Sequence, residues 1–259
     1  MTRFTSPSLT VSDRTVQRLL QRAGLWSKSK YPVCRTTKYH RNSNYFEKID
    51  SVKKAYWLGF LAADGCVKID KYGRKYVDLR LSKKDASHLE MFLEDLKAED
   101  VIHHYDNAAV VMLCDKKMVF DLMFLGIVPR KSLILKYPSI NSELDKAFML
   151  GYFDGDGCWT KTSGRIKFNV VGSEEFIVKY QKLICDYVGI KPSSVQKLGK
   201  VVCFEYTGDK AVSVGNFLYK GHKRCLNRKY KRFQCLSKEW QDIVPKKLGR
   251  PKRDKLRAA

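Results

Sequence analysis

Acidic side chains are scarce in this 259-residue sequence, which has 27 Asp and Glu against 50 Lys and Arg and a formal net charge of +23. Long apolar runs are also missing: none approaches the roughly 20 residues that a membrane-spanning helix needs, and the N-terminus lacks the pattern of a secretory leader. We therefore expect a soluble intracellular protein. A charge excess of this size attracts a polyanion, and nucleic acid is the usual one.

Cysteines and histidines at metal-binding spacing are absent as well. No two of the eight cysteines form a Cys-x-x-Cys pair, and His103 and His104 are adjacent in a predicted strand, so they point to opposite faces. This excludes the usual zinc motifs, and neither a Gly-x-x-x-x-Gly-Lys loop nor a Gly-x-Ser-x-Gly elbow is present. Most cysteines lie in apolar stretches, which predicts reduced thiols that act as small core residues.

One pattern occurs twice in the chain. Residues 55–66, AYWLGFLAADGC, and residues 147–158, AFMLGYFDGDGC, are both apolar runs that end in Asp-Gly-Cys. Their acids, Asp64 and Asp156, are 92 residues apart, which is about the length of a small domain. Such a repeat indicates a duplicated half that delivers one carboxylate twice to the same place. Paired carboxylates are suited to a divalent metal that acts on a phosphodiester.

Each copy also carries small residues four positions apart. This spacing clears one stripe of a helix, so that a second backbone can approach closely. If the two stripes pack on each other, the C-terminal ends of the two helices lie side by side. The predicted interface residues are Gly59, Ala63, Gly151 and Gly155.

The position of the two acids is unfavourable for stability alone. Asp64 and Asp156 stand at predicted helix C-termini, where the helix dipole is negative, and two like charges close together repel each other. A divalent cation would reverse the sign of both effects. We expect the residues that follow, Gly65 and Gly157, to adopt the left-handed cap conformation.

The same order of elements follows each Asp-Gly. Alternating apolar and polar residues predict strands, and apolar residues at helical spacing predict helices. The prediction is an α+β fold of two tandem αββαββα units, at residues 47–138 and 139–241. The predicted strands are 66–70, 76–81, 101–105, 109–114, 165–170 and 201–207, and the predicted helices are 85–97, 116–125, 176–188 and 211–219.

Positive charge is concentrated on two predicted surfaces. In each unit one sheet face is apolar and packs on the helices, whereas the other carries cationic and amide side chains that suit a groove along a phosphate backbone. The stretch 220–238 has eight Lys and Arg and no acid, so we expect it to border the nucleic acid too. An ordinary solvated surface is the alternative for both. The candidate contacts are Arg80, Arg165, Lys167, Asn169, Lys220, Lys223, Arg224, Arg228, Lys231 and Arg232.

The two ends of the chain stand apart from these units. Residues 1–46 contain a small basic amphipathic helix that resembles the recognition helix of a helix-turn-helix, although an isolated basic helix fits equally well. Residues 242–259 are predicted to form a disordered basic tail. The N-terminal residues best suited to contact bases or phosphates are Arg14, Gln17, Arg18 and Gln21.

The repeated segments resemble the motifs of a known family. Residues 57–65, WLGFLAADG, and residues 149–157, MLGYFDGDG, are similar to the paired motifs of the LAGLIDADG homing endonucleases in their single-chain, two-motif form. The resemblance covers roughly residues 45–240. It implies a monomer with pseudo-twofold αββαββα units, motif helices at the interface, and saddle-shaped antiparallel sheets that lie in the major groove of double-stranded DNA.

The resemblance also implies a metal site. The last acid of each motif in this family binds Mg²⁺, or Mn²⁺ in its place, and the matching residues here are Asp64 and Asp156. The backbone carbonyl region of the following glycines, Gly65 and Gly157, is expected to lie close to the metal.

A lysine near each active site completes the implied machinery. Lys131, in GIVPRKS, and Lys229, in LNRKY, match these positions. The implied activity is hydrolysis of both strands of a long, asymmetric DNA target. The rival is a non-cleaving binder of the same fold, either an intron RNA maturase or a DNA-binding regulator, and the presence of both motif acids favours the nuclease. Ala62 stands where the second copy has Asp154, but that position is not the implied metal ligand.

Overall fold

The structure, a computed structural model, describes residues 39–222 and 224–248, the last five by their backbone alone. These residues form two four-stranded antiparallel sheets and seven α-helices, so the predicted α+β fold class is confirmed. The predicted N-terminal helix, with Arg14, Gln17, Arg18 and Gln21, lies outside the described residues.

The chain divides into two compact units. Among the described residues, the first unit comprises 39–49 and 65–131, and the second comprises 50–64 and 132–248. Helix α1 (Val52–Ala63) therefore belongs with the second half of the sequence, although it precedes the strands of the first half.

The first unit is an antiparallel sheet covered on one face by two helices. Its elements in chain order are β1 (Gly65–Ile69), β2 (Lys75–Ser82), α2 (Ala86–Leu96), β3 (Ile102–His104), β4 (Ala108–Cys114) and α3 (Lys116–Phe124), and the strand order is β1–β2–β4–β3. Along β2, Val77 and Leu79 are buried against the helices, whereas Asp78 and Arg80 face away from them. This alternation follows from the two-residue period of a half-buried strand.

The second unit repeats this arrangement and adds a long helix. Its elements are α4 (Asp145–Asp156), β5 (Gly157–Thr162), β6 (Arg165–Gly172), α5 (Glu174–Val188), β7 (Gln196–Leu198), β8 (Val201–Thr207), α6 (Asp209–Tyr219) and α7 (Asn227–Leu248), with strand order β5–β6–β8–β7. Aromatic rings fill its core; for example, the Phe153 and Phe168 rings stack with centroids 4.8 Å apart. The opposite face of β6 presents Arg165, Lys167 and Asn169.

The predicted strands and helices agree with the observed ones to within two residues at each end. Strands β5 and β7 and helix α7 have no counterpart among those predictions. Strand β7 has only exposed residues and so lacks the alternation that reveals a half-buried strand. Helix α7 continues past the predicted boundary at 241, and its buried residues Phe233, Leu236 and Trp240 pack it on the second sheet.

Part of the N-terminal segment is integrated into the first unit. Arg41 is buried and forms an ion pair with Asp100, and its guanidinium also donates to the Cys114 carbonyl at 2.7 Å. Tyr45 and Phe46 are buried as well. Residues 39–46 therefore pack with the first unit, and the predicted boundary after residue 46 falls inside it.

The prediction that most cysteines are core residues is wrong for the described part of the chain. Among the seven cysteines there, all are free thiols and only Cys203 is buried. Cys114 and Cys158 are exposed because they fall on the strand positions that face away from the helices. The apolar stretch around each one is real, but the strand period puts the thiol on the open face.

Candidate active site

Helices α1 and α4 pack with their backbones in direct contact. A methyl group added at Gly59 would lie 2.0 Å from the Phe148 carbonyl oxygen, and one added at Gly151 would lie 1.9 Å from the Tyr56 carbonyl oxygen. No side chain fits at either position, so the small-residue stripe allows the two helices to approach this closely.

The same stripe brings the C-terminal ends of α1 and α4 together. A Cβ added at Gly155 would lie 2.3 Å from the Ala63 Cβ and 3.4 Å from the Asp64 carboxyl carbon. Burial raises the pKa of the nearby Tyr152 hydroxyl, and the negative charges of Asp156 and Asp64 raise it further. The two motif acids therefore lie close enough to act on one buried group.

The electrostatic setting of the acids is the unfavourable one that the sequence predicted. Asp64 is the C-cap of α1 and is exposed, and Asp156 is the last residue of α4 and is half-buried. Neither helix has a basic residue in its last turn. Because helix C-termini carry partial negative charge, each acid adds to a potential that its own helix does not neutralise.

Lys229, from the first turn of α7, supplies positive charge at the end of α4. Its ammonium group donates to the carbonyl oxygens of Phe153 at 2.9 Å, Gly155 at 2.8 Å and Gly157 at 2.5 Å. Burial lowers the pKa of Lys229, and the charge of Asp64 is among the interactions that oppose this shift. An ammonium has three N–H donors, so all three are committed to the backbone that surrounds Asp156.

Lys131 makes the corresponding contact in the first unit. Its side chain is buried and donates to the Gly65 carbonyl at 2.5 Å. Each predicted lysine thus binds the carbonyl of the glycine that follows a motif acid in the sequence. The two carbonyls that were candidates for the metal region, those of Gly65 and Gly157, are both lysine acceptors here.

The prediction that these two glycines are left-handed is wrong. Gly157 has φ −91° and ψ 163°, which is extended backbone, and Gly65 likewise starts a strand without a positive φ. The chain passes directly from each motif into a strand, so no reversal is needed. Gly157 is required for a different reason: a Cβ there would lie 2.0 Å from the Phe153 ring.

Asp154 is a buried acid that is not among the predicted site residues. Its Oδ2 accepts hydrogen bonds from the Tyr56 hydroxyl at 2.8 Å and from the Leu226 amide at 2.6 Å. Burial raises the pKa of Asp154 to about 6, although both hydrogen bonds and the charge of Lys229 lower it. The asymmetry between Asp154 and Ala62 in the two copies is the one sequence signal that could have drawn attention to it.

Several candidate DNA contacts cluster at the start of α7. A cavity of about 480 Å³ is lined by Cys158, Trp159, Arg228, Lys229, Lys231 and Arg232. Arg228, Lys231 and Arg232 are exposed, as is Lys220, whereas Arg224 is half-buried. Lys223 lies outside the described residues. The lining of this cationic cavity thus includes Cys158, which is two residues beyond Asp156 in the sequence.

The open sheet faces are less cationic than the sequence suggested. Lys167 forms an ion pair with Glu205, which pairs with Asn169 across the sheet. Arg80 lies over the Tyr105 ring at 5.6 Å. Arg165 is exposed at the start of β6.

Lys68 also lies on the open face of the first sheet, where it forms an ion pair with Asp78. The predictions did not include it. The strand register pairs Lys68 with Tyr76, so the alternation along β1 could have revealed it. In both units, therefore, an acid on the same face neutralises one of the cations.

The grouping of potential ligand side chains and the apolar character of the helices bear on metal and membrane binding. Within residues 39–222 and 224–248, no three His, Cys, Asp or Glu side chains come together in a way that could hold a metal ion. A site here would depend on the two motif carboxylates and on backbone oxygens. In the same residues no helix is both long and apolar enough to cross a membrane.

Comparison with known proteins gives structural relatives only. The sequence matches no protein-family model and no curated protein. The LAGLIDADG meganuclease I-AabMI, crystallised with uncleaved DNA, is 13% identical with a TM-score of 0.54, over 74% of this chain and 91% of that one. The homing endonuclease I-GzeII in complex with its DNA target is 15% identical (TM-score 0.52; 76% and 92% covered), as is I-LtrWI bound to target DNA (0.52; 79% and 92%). The protein therefore has the fold of the LAGLIDADG homing endonucleases.

Proposed function

We propose that the protein is a divalent-metal-dependent endonuclease that cuts both strands of a long, asymmetric double-stranded DNA site. One observation carries the proposal: the two motif acids stand at the adjoining ends of α1 and α4, with Gly155 against the Asp64 carboxyl carbon. The related folds that were crystallised with DNA support a DNA substrate.

The residues at this site fit a hard divalent cation. Asp64 and Asp156 are carboxylates with no basic residue in the last turn of either helix, and oxygen ligands are those that Mg²⁺ and Mn²⁺ prefer. These two acids would hold the metal. When bound, Mg²⁺ would supply Lewis-acid stabilisation of charge on the phosphodiester and a lower pKa for water.

The two lysines fix the backbone around the acids. Lys229 uses all three of its donors on carbonyls near the end of α4, so it acts on the site through its charge and through the position of Gly157. Lys131 holds the Gly65 carbonyl in the first unit. A fixed positive charge of this kind stabilises negative charge that develops on a phosphate in the transition state.

The rest of the proposed DNA surface consists of the open sheet faces and the start of α7. Strands β2 and β6 are the second strands of their units, but they carry different side chains on their open faces. Those of β2 are Tyr76, Asp78 and Arg80, and those of β6 are Arg165, Lys167 and Asn169. The two halves of a target would therefore differ in sequence. The exposed cations of α7 extend this surface along the phosphate backbone. We also propose that residues 1–46 lengthen the DNA footprint without taking part in the chemistry, and that the protein acts as a monomer.

A binding selection tests the proposal. The full chain would be used to recover duplexes from a randomised library, and the recovered duplexes would then be incubated with Mg²⁺, Mn²⁺ or EDTA. We expect double-strand cleavage with either metal and none with EDTA. Tight binding with no cleavage under any of these conditions would instead support a non-cleaving binder.

A further inference from the structure

Two segments of the second unit hold each other at two points. One is residues 153–157, at the end of α4, and the other is residues 226–229, at the start of α7. A side chain of each segment binds the backbone of the other. We call this arrangement the α4–α7 clamp.

The first point of the clamp is the Asp154 carboxylate. It accepts the Leu226 amide at 2.6 Å, and the Leu226 carbonyl in turn accepts the Lys229 amide at 2.9 Å and the Tyr230 amide at 3.1 Å. Leu226 thus stands at the N-terminal boundary of α7, and its position sets the direction in which the first turn leaves. Asp154 therefore determines where the Lys229 backbone lies.

The second point is the Lys229 ammonium, which reaches back to the carbonyls of Phe153, Gly155 and Gly157. The ammonium must meet three carbonyls at once, so a shift of the Lys229 backbone lengthens at least one of these hydrogen bonds. The three acceptors flank Asp154 and Asp156 along the chain. The clamp thus joins the buried acid to the backbone on both sides of the motif acid.

The burial of Asp154 makes an acid at this position costly for stability. It is 1% exposed, and its Oδ1 is buried without a hydrogen-bond partner. Burial of a carboxylate is unfavourable unless specific bonds offset it. The first motif has Ala62 at this position, so a helix of this kind also forms without the acid.

We infer that Asp154 is a positioning residue that places Lys229 through the Leu226 amide, and that only the cleavage centre at Asp156 depends on it. This inference rests on the proposed function, with each motif acid serving one DNA strand. Because Ala62 replaces the acid in the first motif, the centre at Asp64 cannot depend on a carboxylate at this position. Loss of Asp154 therefore slows the cleavage of one strand and spares the other.

The first test needs no DNA. Hydrogen exchange of residues 225–232 would be compared in the wild type, Asp154→Ala and Asp154→Asn, with Tyr56→Phe as the matched control. Asn keeps a carbonyl oxygen that can accept the Leu226 amide, and Phe at position 56 removes a donor to Asp154 without touching the Leu226 contact. We expect at least about tenfold faster exchange in Asp154→Ala, with Asp154→Asn and Tyr56→Phe close to the wild type. Equal exchange in all four proteins would overturn the inference.

The second test follows each strand of a duplex separately. With a strand-labelled target and Mg²⁺, Asp154→Ala should slow one strand by about 10- to 100-fold, as loss of a supporting contact commonly does, so that nicked DNA accumulates. Asp154→Asn should restore most of that rate, and DNA affinity should change by less than about twofold. An equal slowing of both strands would mean that Asp154 is merely structural and would contradict the inference.

These tests separate the inference from the proposed function. If exchange increases in Asp154→Ala but the wild-type protein cuts neither strand, the clamp is present and the nuclease proposal fails. If the wild type cuts and Asp154→Ala behaves as the wild type in both assays, the inference fails alone. Should Asp154→Ala not fold, Asp154→Ser provides the same comparison, because a serine hydroxyl is too short to reach the Leu226 amide.

Discussion

Lys229 donates to the carbonyl of Gly157 at 2.5 Å, and Gly157 immediately follows the motif acid Asp156. A buried cation is thereby fixed at the negative end of α4, where it offsets the helix dipole and interacts with the charges of Asp154 and Asp64. Lys131 makes the same type of bond to Gly65, which follows Asp64. Each motif acid is thus followed in the sequence by a glycine whose carbonyl accepts a hydrogen bond from a lysine.

Replacement of Lys229 by Met should reduce cleavage of one DNA strand. Three carbonyls lose their donor and the end of α4 loses its cation, so we expect about a 10- to 100-fold lower rate for that strand. Single-turnover assays with each strand labelled separately would measure this. Lys179→Met, at an exposed position of α5 on the helix-covered side of the second sheet, is the control and should cut at the wild-type rate. Equal cleavage by the two variants would contradict a role for Lys229.

Replacement of Gly151 by Ala should destabilise the second unit strongly. The new methyl group would lie 1.9 Å from a backbone oxygen of α1, so the helices must separate, and we expect a loss of about 3 kcal/mol in the free energy of unfolding. Urea denaturation measures this. Gly199→Ala is the control, because its Cβ meets no atom within 4 Å although its φ of 63° is unfavourable for Ala by about 1 kcal/mol. Equal losses would show that α1 and α4 are not packed so closely.

DNA affinity should fall steeply with salt. If the α7 cations and the sheet faces contact at least six phosphates, the slope of log K against log salt is about −5 or steeper. Neutralising Arg228, Lys231 and Arg232 together with Gln should reduce that slope by about 3. The control is Lys179→Gln, at an exposed position of α5, on the helix-covered side of the second sheet. A flat salt dependence would exclude a surface that follows the phosphate backbone.

Stability should decrease as the pH falls from about 6.5 towards 4. Burial lowers the pKa of His222 to about 4, and the Lys146 charge lowers it further. Since a histidine in the unfolded chain binds its proton near pH 6.5, the unfolded state takes up more protons in this range. His222→Asn should therefore lessen the decline, by about 1–2 kcal/mol after allowance for solvent screening. Unfolding curves at pH 4.5 and 7.5 would show it.

The exposed His103 provides the control for that experiment. Its replacement by Asn should leave the difference in unfolding free energy between the two pH values as in the wild type. If His222→Asn behaves in the same way as this control, His222 does not contribute to the loss of stability in acid.

The features that could be predicted from the sequence are those set by local periodicity. Strand β2 is predicted by its alternation of buried and open residues, such as Val77 and Asp78. The close contact between α1 and α4 is predicted by the small residues spaced four apart in each motif. Contacts between distant residues could not be predicted. Tyr56 and Asp154 are 98 positions apart and meet only because α1 packs on α4.

Other predictions are wrong where the same residue type can be required for different structural reasons. Gly157 was expected to be left-handed because glycine often ends a helix, but its backbone is extended and its missing Cβ leaves room for the Phe153 ring. Sequence alone does not distinguish a glycine needed for its conformation from one needed for its size. Cys158 was likewise predicted to be buried because its sequence neighbours are apolar, but its side chain is exposed.

The most direct test of the account is cleavage by proteins that lack one motif acid. Wild type, Asp64→Asn and Asp156→Asn would be compared on a selected target duplex with Mg²⁺, under single-turnover conditions and with matched DNA affinity. Asn keeps the size of the side chain but removes the charge that would hold the metal, so we expect each substitution to slow cleavage by at least about 100-fold. If both variants cut at the wild-type rate, Asp64 and Asp156 are not the active site.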